Sequence, residues 1–141
     1  MDFAQVKRLL KKHEGLSLSL YKCPAGKLTI GYGHNIEDRG ISEEAAELLL
    51  EQDMLIAYRQ VKNAVKCFER LDEARQYVLT DMCFNIGITK LMGFTKMLRA
   101  LDGGDYATAA KEMLNSRWAA QVKGRAAYLA GVMASGILKY A

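Results

Sequence analysis

A chain of 141 residues, 50% hydrophobic and 26% charged, has the makeup of one soluble globular unit, long enough to bury a sizeable core. Its longest uncharged stretch, Ala126 to Leu138, is rich in Ala and Gly and falls short of the roughly 18 to 20 apolar residues that span a bilayer. The net charge of +4 is uneven: residues 1–60 hold 8 Lys and Arg against 9 Asp and Glu, and residues 61–141 hold 12 against 7. A basic second half suits a polyanion, whether nucleic acid, anionic lipid or bacterial cell wall, as readily as it suits a plain solvated surface.

The N-terminus, MDFAQVKRLLKKHEG, scatters charge throughout and lacks the uninterrupted apolar region of a secretory signal, so no export is expected of it. Phe3, Val6, Leu9 and Leu10 recur at helical spacing, with Lys7, Arg8, Lys11 and Lys12 on the other side. Gly15 is a natural stop, which makes Glu14 the last residue of a first helix. Leu16, Leu18 and Leu20 then alternate with Ser17, Ser19 and Tyr21, the period of a strand. Pro24-Ala25-Gly26 is a turn signal, Leu28 to Tyr32 reads as a second strand, and the two form a hairpin. Gly31 and Gly33 imply backbone that bends or approaches a ligand closely.

Asn35 to Gly40 reads as a polar connection. Ser42 can cap a helix over residues 43–66, with Glu43 and Glu44 near its positive end. That helix is long enough to link two lobes. From Leu71 onward every signal is helical. Asp72 to Asn85 reads as a buried helix carrying Tyr77, Val78, Met82 and Phe84. A short helix from Phe94-Thr95 to Leu101 follows, then Tyr106 to Leu114 with Asp105 as cap. Ser116-Arg117-Trp118 opens a further turn, and Gly124 to Leu138 supplies the last helix or two. Trp118 reads as core. Cys67 and Cys83 sit in apolar helical contexts as small core residues. The three cysteines form no metal-like cluster, and a reducing compartment is their simplest account.

The stretch EGLSLSLYKCPAGKLTIGYGH, residues 14–34, concentrates the chemistry. A carboxyl at a helix end, a thiol in a turn and a hydroxyl on a strand can together supply a proton donor and a group that aims water. Taken singly, each has a plainer reading. A Glu closing a helix is usually solvated, a turn Cys need have no role, and Thr is a good strand residue.

The spacing Glu14-x8-Cys23-x5-Thr29, followed by TIGYGH, resembles the catalytic signature of the phage-type lysozymes, the T-even phage lysozyme family, whose pattern is Glu-x8-Asp/Cys-x5-Thr. GISEEAAELLLEQDM, LDEARQYVLTDMCFNIG, GFTKMLRAL and NSRWAAQVKGRAAYLAG look like successive landmarks of the same family, so the likeness covers nearly the whole chain. The stretch between His34 and Ile41 is shorter than in the T-even enzyme, implying fewer β-residues in the small lobe.

The resemblance implies a mainly helical α+β, lysozyme-like fold in a single domain. A small β-hairpin lobe over about 14–42 and a helical lobe over about 67–141 would be joined by the long helix, with residues 1–13 packing on the helical lobe. It implies a peptidoglycan hydrolase that cuts the β-1,4 bond between N-acetylmuramic acid and N-acetylglucosamine. Glu14 would be the general acid, Cys23 the second catalytic group and Thr29 the residue that positions water. To donate near neutral pH, Glu14 needs partial burial or a nearby anion. Cys23 differs from Asp because a free thiol ionises only near a pKa of about 8.5, a value that Lys22 could lower. It could polarise water or attack the sugar carbon directly; the resemblance favours water attack with inversion.

The resemblance further gives Arg125 a pairing with Glu14, which favours the charged carboxylate unless burial offsets it. It pairs His34 with Asp53 as structural support, with no metal. Tyr32, Asn85, Gly87, Phe94 and Thr95 would line the saccharide cleft. No cofactor and no nucleic-acid partner are expected. Such a protein would be monomeric, without stable membrane insertion. It would wait in the host cytoplasm until a separate permeabilising protein, a holin, gave it access to the wall as a phage or prophage endolysin. A lytic transglycosylase, which uses one Glu and leaves an anhydro sugar, is the enzymatic rival. A non-catalytic wall-binding protein on the same scaffold is the other.

Overall fold

The computed structural model describes residues 1–139, which divide into two compact units, residues 1–48 and a second that begins at Leu49. The architecture is mainly helical α+β, with one small three-stranded antiparallel sheet of order β1-β2-β3.

The first unit begins with α1 (Phe3–Glu14), started by the Asp2 side chain, which accepts from the Gln5 N–H at 3.1 Å. β1 (Ser17–Lys22) and β2 (Leu28–Gly31) form the hairpin, and β3 (His34–Asn35) adds a short third strand. α2 (Ile36–Arg39) follows, and α3 (Glu43–Ala64) begins in this unit and continues into the next. The polar connection expected over Asn35–Gly40 is thus a strand end and one helical turn. Asn35 caps that turn by accepting from the Asp38 N–H at 3.1 Å, and Gly40 closes it at a φ of 58°. Its local signals were present, an Asx cap, acids in the first turn, then Arg39 and Gly40, but four residues give no periodicity to detect. Ser42 caps α3 as expected, with its hydroxyl 3.2 Å from the Ala45 N–H.

The second unit carries the hydrophobic core. After α3 comes a 3-10 turn at Phe68–Arg70, then α4 (Glu73–Ile86), α5 (Ile88–Met92), α6 (Thr95–Asp102), α7 (Tyr106–Leu114), α8 (Arg117–Val122) and α9 (Gly124–Ser135). α4 buries Ala74, Val78, Leu79, Met82 and Cys83, the stripe that a 3.6-residue period lays on one face. Leu91, Met97, Met113, Leu129 and Met133 close around that stripe. Phe84 was expected inside but is 43% exposed, because it falls off that face. Cys67, Cys83 and Trp118 are buried, as their contexts predicted.

Arg75 ties α4 to the end of α9. Its guanidinium donates to the carbonyls of Met133 at 2.8 Å and Ala134 at 3.1 Å, and lies 3.5 Å from the centroid of the Tyr106 ring. The last carbonyls of a helix have no partner within it, so a buried cation there supplies what Gly136 and the following turn do not.

Candidate active site

The first unit holds Glu14, Cys23, Thr29, Tyr32 and His34. Gly15 ends α1 at a φ of 71°, donating its N–H to Lys11 O at 3.0 Å, so Glu14 stands at the helix terminus. Its carboxyl rests on Gly33. A Cβ at residue 33 would sit 2.8 Å from the carboxyl carbon, and Gly33 also has a φ of 68°. Glycine is therefore required there twice, by backbone conformation and by the approach of Glu14. The Lys11 ammonium lies 5.1 Å from the centroid of the Tyr32 ring, a second tie between α1 and the end of the hairpin.

Cys23 stands at the hairpin turn. Its N–H donates to Lys27 O at 2.9 Å, and its carbonyl accepts from the Gly26 N–H at 2.8 Å. The Thr29 hydroxyl donates to the same Lys27 carbonyl at 2.9 Å and is buried on β2, while Cys23 is half-buried. The backbone at Lys27 is the largest influence holding the Cys23 thiol below its ordinary pKa. Desolvation opposes it, and the backbone at Ala25 and the Thr29 hydroxyl reinforce it. The Lys22 cation expected to do this is not among the causes; dipoles of the turn are. The Lys27 ammonium instead pairs with Asp38 at 3.1 Å and Glu37 at 3.4 Å, which binds the turn to α2. Lys27 is thus a hub of the site that the sequence reading passed over, and its turn position after Gly26 was the available signal.

His34 on β3 has its Nε2 2.6 Å from Gly40 O. A carbonyl only accepts, so this contact assigns the proton to Nε2 and ties β3 to the end of α2.

The second unit holds Asp53, Asn85, Gly87, Phe94, Thr95 and Arg125. Asp53 borders a hollow of about 280 Å³ with Gln60 and Cys83. Asn85 is exposed near the end of α4, and its amide oxygen accepts from Trp118 Nε1 at 2.7 Å. Gly87 caps α4 at a φ of 84°. Phe94 meets Trp118 edge to face with ring centroids 6.1 Å apart. Phe94, Thr95 and Trp118 line a cavity of about 570 Å³ that also carries Lys90, Lys96 and Arg117. Four of the expected saccharide contacts therefore cluster around Trp118, Phe94 and the end of α4.

Arg125, on α9, donates from Nε to Asp81 Oδ1 at 2.7 Å. The other Asp81 oxygen accepts from the Tyr77 hydroxyl at 2.9 Å. Burial, then the bond to Asp81, pushes the Tyr77 hydroxyl up to about 12. Asp81 was not singled out in the sequence. Its spacing of four from Tyr77 was legible, but its partner 44 residues away was not. Among the described residues no group of three His, Cys, Asp or Glu is placed to hold a metal ion.

The Phage lysozyme family model matches residues 11–134. The "Endolysin" of Acyrthosiphon pisum secondary endosymbiont phage 1 is 35% identical over 130 residues, which cover 89% of this chain and 85% of that protein. "Probable T4-type lysozyme 1" of Dictyostelium discoideum is 27% identical over 164 residues, covering 96% of each chain. The pre-baseplate central spike protein of Enterobacteria phage T4 is 28% identical over 159 residues, covering 93% of this chain but 28% of that larger protein. The motif at residues 14–34, the mainly helical fold and a match along nearly the full length agree: the chain belongs to the phage lysozyme family and is a lysozyme-type glycoside hydrolase.

Proposed function

We propose that the chain is a muramidase that cuts the β-1,4 bond between N-acetylmuramic acid and N-acetylglucosamine of peptidoglycan. The observation that carries this reading is the seat of Glu14 on Gly33, in the same unit as a hairpin turn that makes Cys23 a stronger acid than a free thiol. Glu14 protonates the leaving glycosidic oxygen. A water bound near the turn gives one proton to the Cys23 thiolate. Its other hydrogen is aimed by a hydrogen bond to Thr29 Oγ1 and stays on the oxygen as that of the new anomeric hydroxyl. That leaves the water's lone pair for the sugar carbon, which favours single displacement with inversion. We assign saccharide binding to Tyr32 of the first unit and to Asn85, Gly87, Phe94 and Thr95 of the second, and structural support to Arg125, His34 and Asp53.

We place this hydrolase in host lysis, as a monomeric phage or prophage endolysin whose access to the wall depends on a holin. The named endolysin relative supports that role, and no helix among the described residues is long and apolar enough to cross a membrane. Purified peptidoglycan should be cleared by the wild type and released as fragments with one water added per bond cut. Fragments ending in an anhydro sugar would replace hydrolysis by lytic transglycosylation. Absence of any cleavage, with binding retained, would leave a wall-binding protein.

A further inference from the structure

The Lys27 carbonyl is the shared anchor of the hairpin turn, accepting from the Cys23 N–H at 2.9 Å and from the Thr29 hydroxyl at 2.9 Å. That carbonyl and the Leu28 N–H belong to one rigid trans peptide plane and point to opposite sides of it. Glu37 of α2 grips the far side. Its Oε1 accepts from the Leu28 N–H at 3.3 Å, and its Oε2 lies 3.4 Å from the Lys27 ammonium. β3 pairs with β2 at Thr29 and Ile30, one residue short of Leu28, so Glu37 supplies an acceptor where the strand stops. Asp38 completes the clasp: Oδ1 accepts from the Lys27 ammonium at 3.1 Å and Oδ2 from the Asn35 side-chain amide at 3.0 Å.

We propose that Glu37 is a positioning residue for the reaction: it holds the Lys27–Leu28 peptide plane, so that the carbonyl on its other side keeps Cys23 and Thr29 in place relative to each other. This rests on the reading of Cys23 and Thr29 as the groups that handle water. The Lys27 and Glu37 side chains are 43% and 41% exposed, and an ion pair so exposed adds little to the stability of the whole fold. The effect of the clasp falls on the turn. The influences on the Cys23 thiol are backbone groups, first that of Lys27, with desolvation and the Thr29 hydroxyl. The charged and titratable groups on the elements around the turn are Tyr21 and Lys22 of β1, Lys27, His34 of β3, and Glu37, Asp38 and Arg39 of α2. Loss of grip and loss of charge at Glu37 therefore act in opposite directions. Releasing the plane takes the thiol back toward a free cysteine, whereas removing a carboxylate alone favours the thiolate.

The test reads Cys23 directly, by iodoacetamide labelling of the native protein against pH, beside kcat and KM for peptidoglycan cleavage. In Glu37→Ala the labelling midpoint should rise by about half a pH unit, which leaves about threefold less thiolate at neutral pH. There kcat should fall about threefold with it, and KM should stay near its wild-type value. Glu37→Gln keeps an acceptor for the Leu28 N–H and should stay near wild type in both measurements. A midpoint that falls would show an effect of charge, and one that stays while the thermal midpoint drops would show a plain tie between α2 and the hairpin; either overturns the proposal. Should Glu37→Ala fail to fold, Glu37→Met keeps the length of the side chain without its oxygens, and an unmoved labelling midpoint there overturns it equally. Cys23→Ser runs alongside: a fully active Cys23→Ser removes Cys23 from the chemistry whatever the labelling shows, whereas an impaired one beside an unmoved midpoint in Glu37→Ala removes only the role of Glu37.

Discussion

Residues 1–48 and the unit that begins at Leu49 are held together by different means. In the first, Thr29 is the one buried residue, and the connections are hydrogen bonds and ion pairs: Lys27 with Asp38 and Glu37, His34 with Gly40, Cys23 with Lys27. In the second, apolar side chains from Ala57 to Met133 form one continuous core, and the main polar tie, Arg75, is spent on closing a helix end. The groups to which we assign the reaction sit in the unit with little core. A thiolate that is to meet water gains nothing from deep burial. It gains from a backbone that fixes its position. Core packing and site geometry are therefore separable here, and substitutions should move one without the other.

The largest separation should come from Glu14→Gln. Loss of the general acid removes about a hundredfold or more of the rate, while an exposed helix-end substitution leaves the unfolding midpoint almost unchanged. Turbidity clearing and a thermal melt measure the two; cleavage within a few-fold of wild type would exclude Glu14 from the chemistry. The reverse case is Leu79→Ala. Leu79 is fully buried on α4, and its truncation should cost about 2–5 kcal/mol of stability. Below the new melting temperature, cleavage by the folded fraction should be unaltered. Leu18→Ala is the matched control in the first unit. Leu18 is 83% exposed, so denaturant unfolding should shift by no more than about 0.5 kcal/mol. A Leu18→Ala loss approaching that of Leu79→Ala would show a core in the first unit that its exposure denies.

Gly33→Ala should strike both properties at once, at smaller size. The positive φ costs a non-glycine residue about 1–2 kcal/mol, and the added methyl displaces the Glu14 carboxyl from its seat. Stability should fall by about that amount, and kcat should fall while KM stays near its wild-type value, since a displaced acid weakens the chemical step and not saccharide binding. A drop in stability with kcat intact would mean that the carboxyl does not need this seat.

How much of this was readable beforehand follows from the range of the interactions. The end of the first helix at Glu14, the hairpin turn at Pro24 and the helices from residue 73 onward are written in neighbouring residues, through glycine stops, Asp and Ser caps and the period of apolar positions. The alternation Leu16, Leu18, Leu20 located the strand, observed at Ser17–Lys22, but suggested a buried face that is not there; all three leucines are exposed. Period tells which residues share a face, not what covers it. The site shows the same limit. Spacing singled out Glu14, Cys23 and Thr29 as candidates. It could not show that a Lys27 carbonyl joins two of them, that Gly33 seats the third, or that Arg125 meets Asp81, because each of those facts depends on how the chain returns to itself.

The subtlest readout is the labelling of the Cys23 thiol, and it probes the fixed geometry of the first unit most directly. Thiolate, not thiol, reacts with an alkylating agent. The backbone at Lys27, with help from Ala25 and Thr29, favours the Cys23 thiolate, whereas burial pushes the Cys67 and Cys83 thiols up. In the native protein, therefore, iodoacetamide should label Cys23 first, and the pH midpoint of its labelling should lie below the roughly 8.5 of a free cysteine. Unfolding should erase the difference among the three. If the same thiolate is the working base, the acid limb of cleavage should follow the labelling midpoint. Cys23→Asp should then extend activity to lower pH, since Asp is ionised above about 4, and Cys23→Ser should be strongly impaired because a hydroxyl is a far weaker base. A labelling midpoint at the free-cysteine value would show that the turn does not tune the thiol. A fully active Cys23→Ser with an unchanged profile would show that, tuned or not, the thiol is not the base.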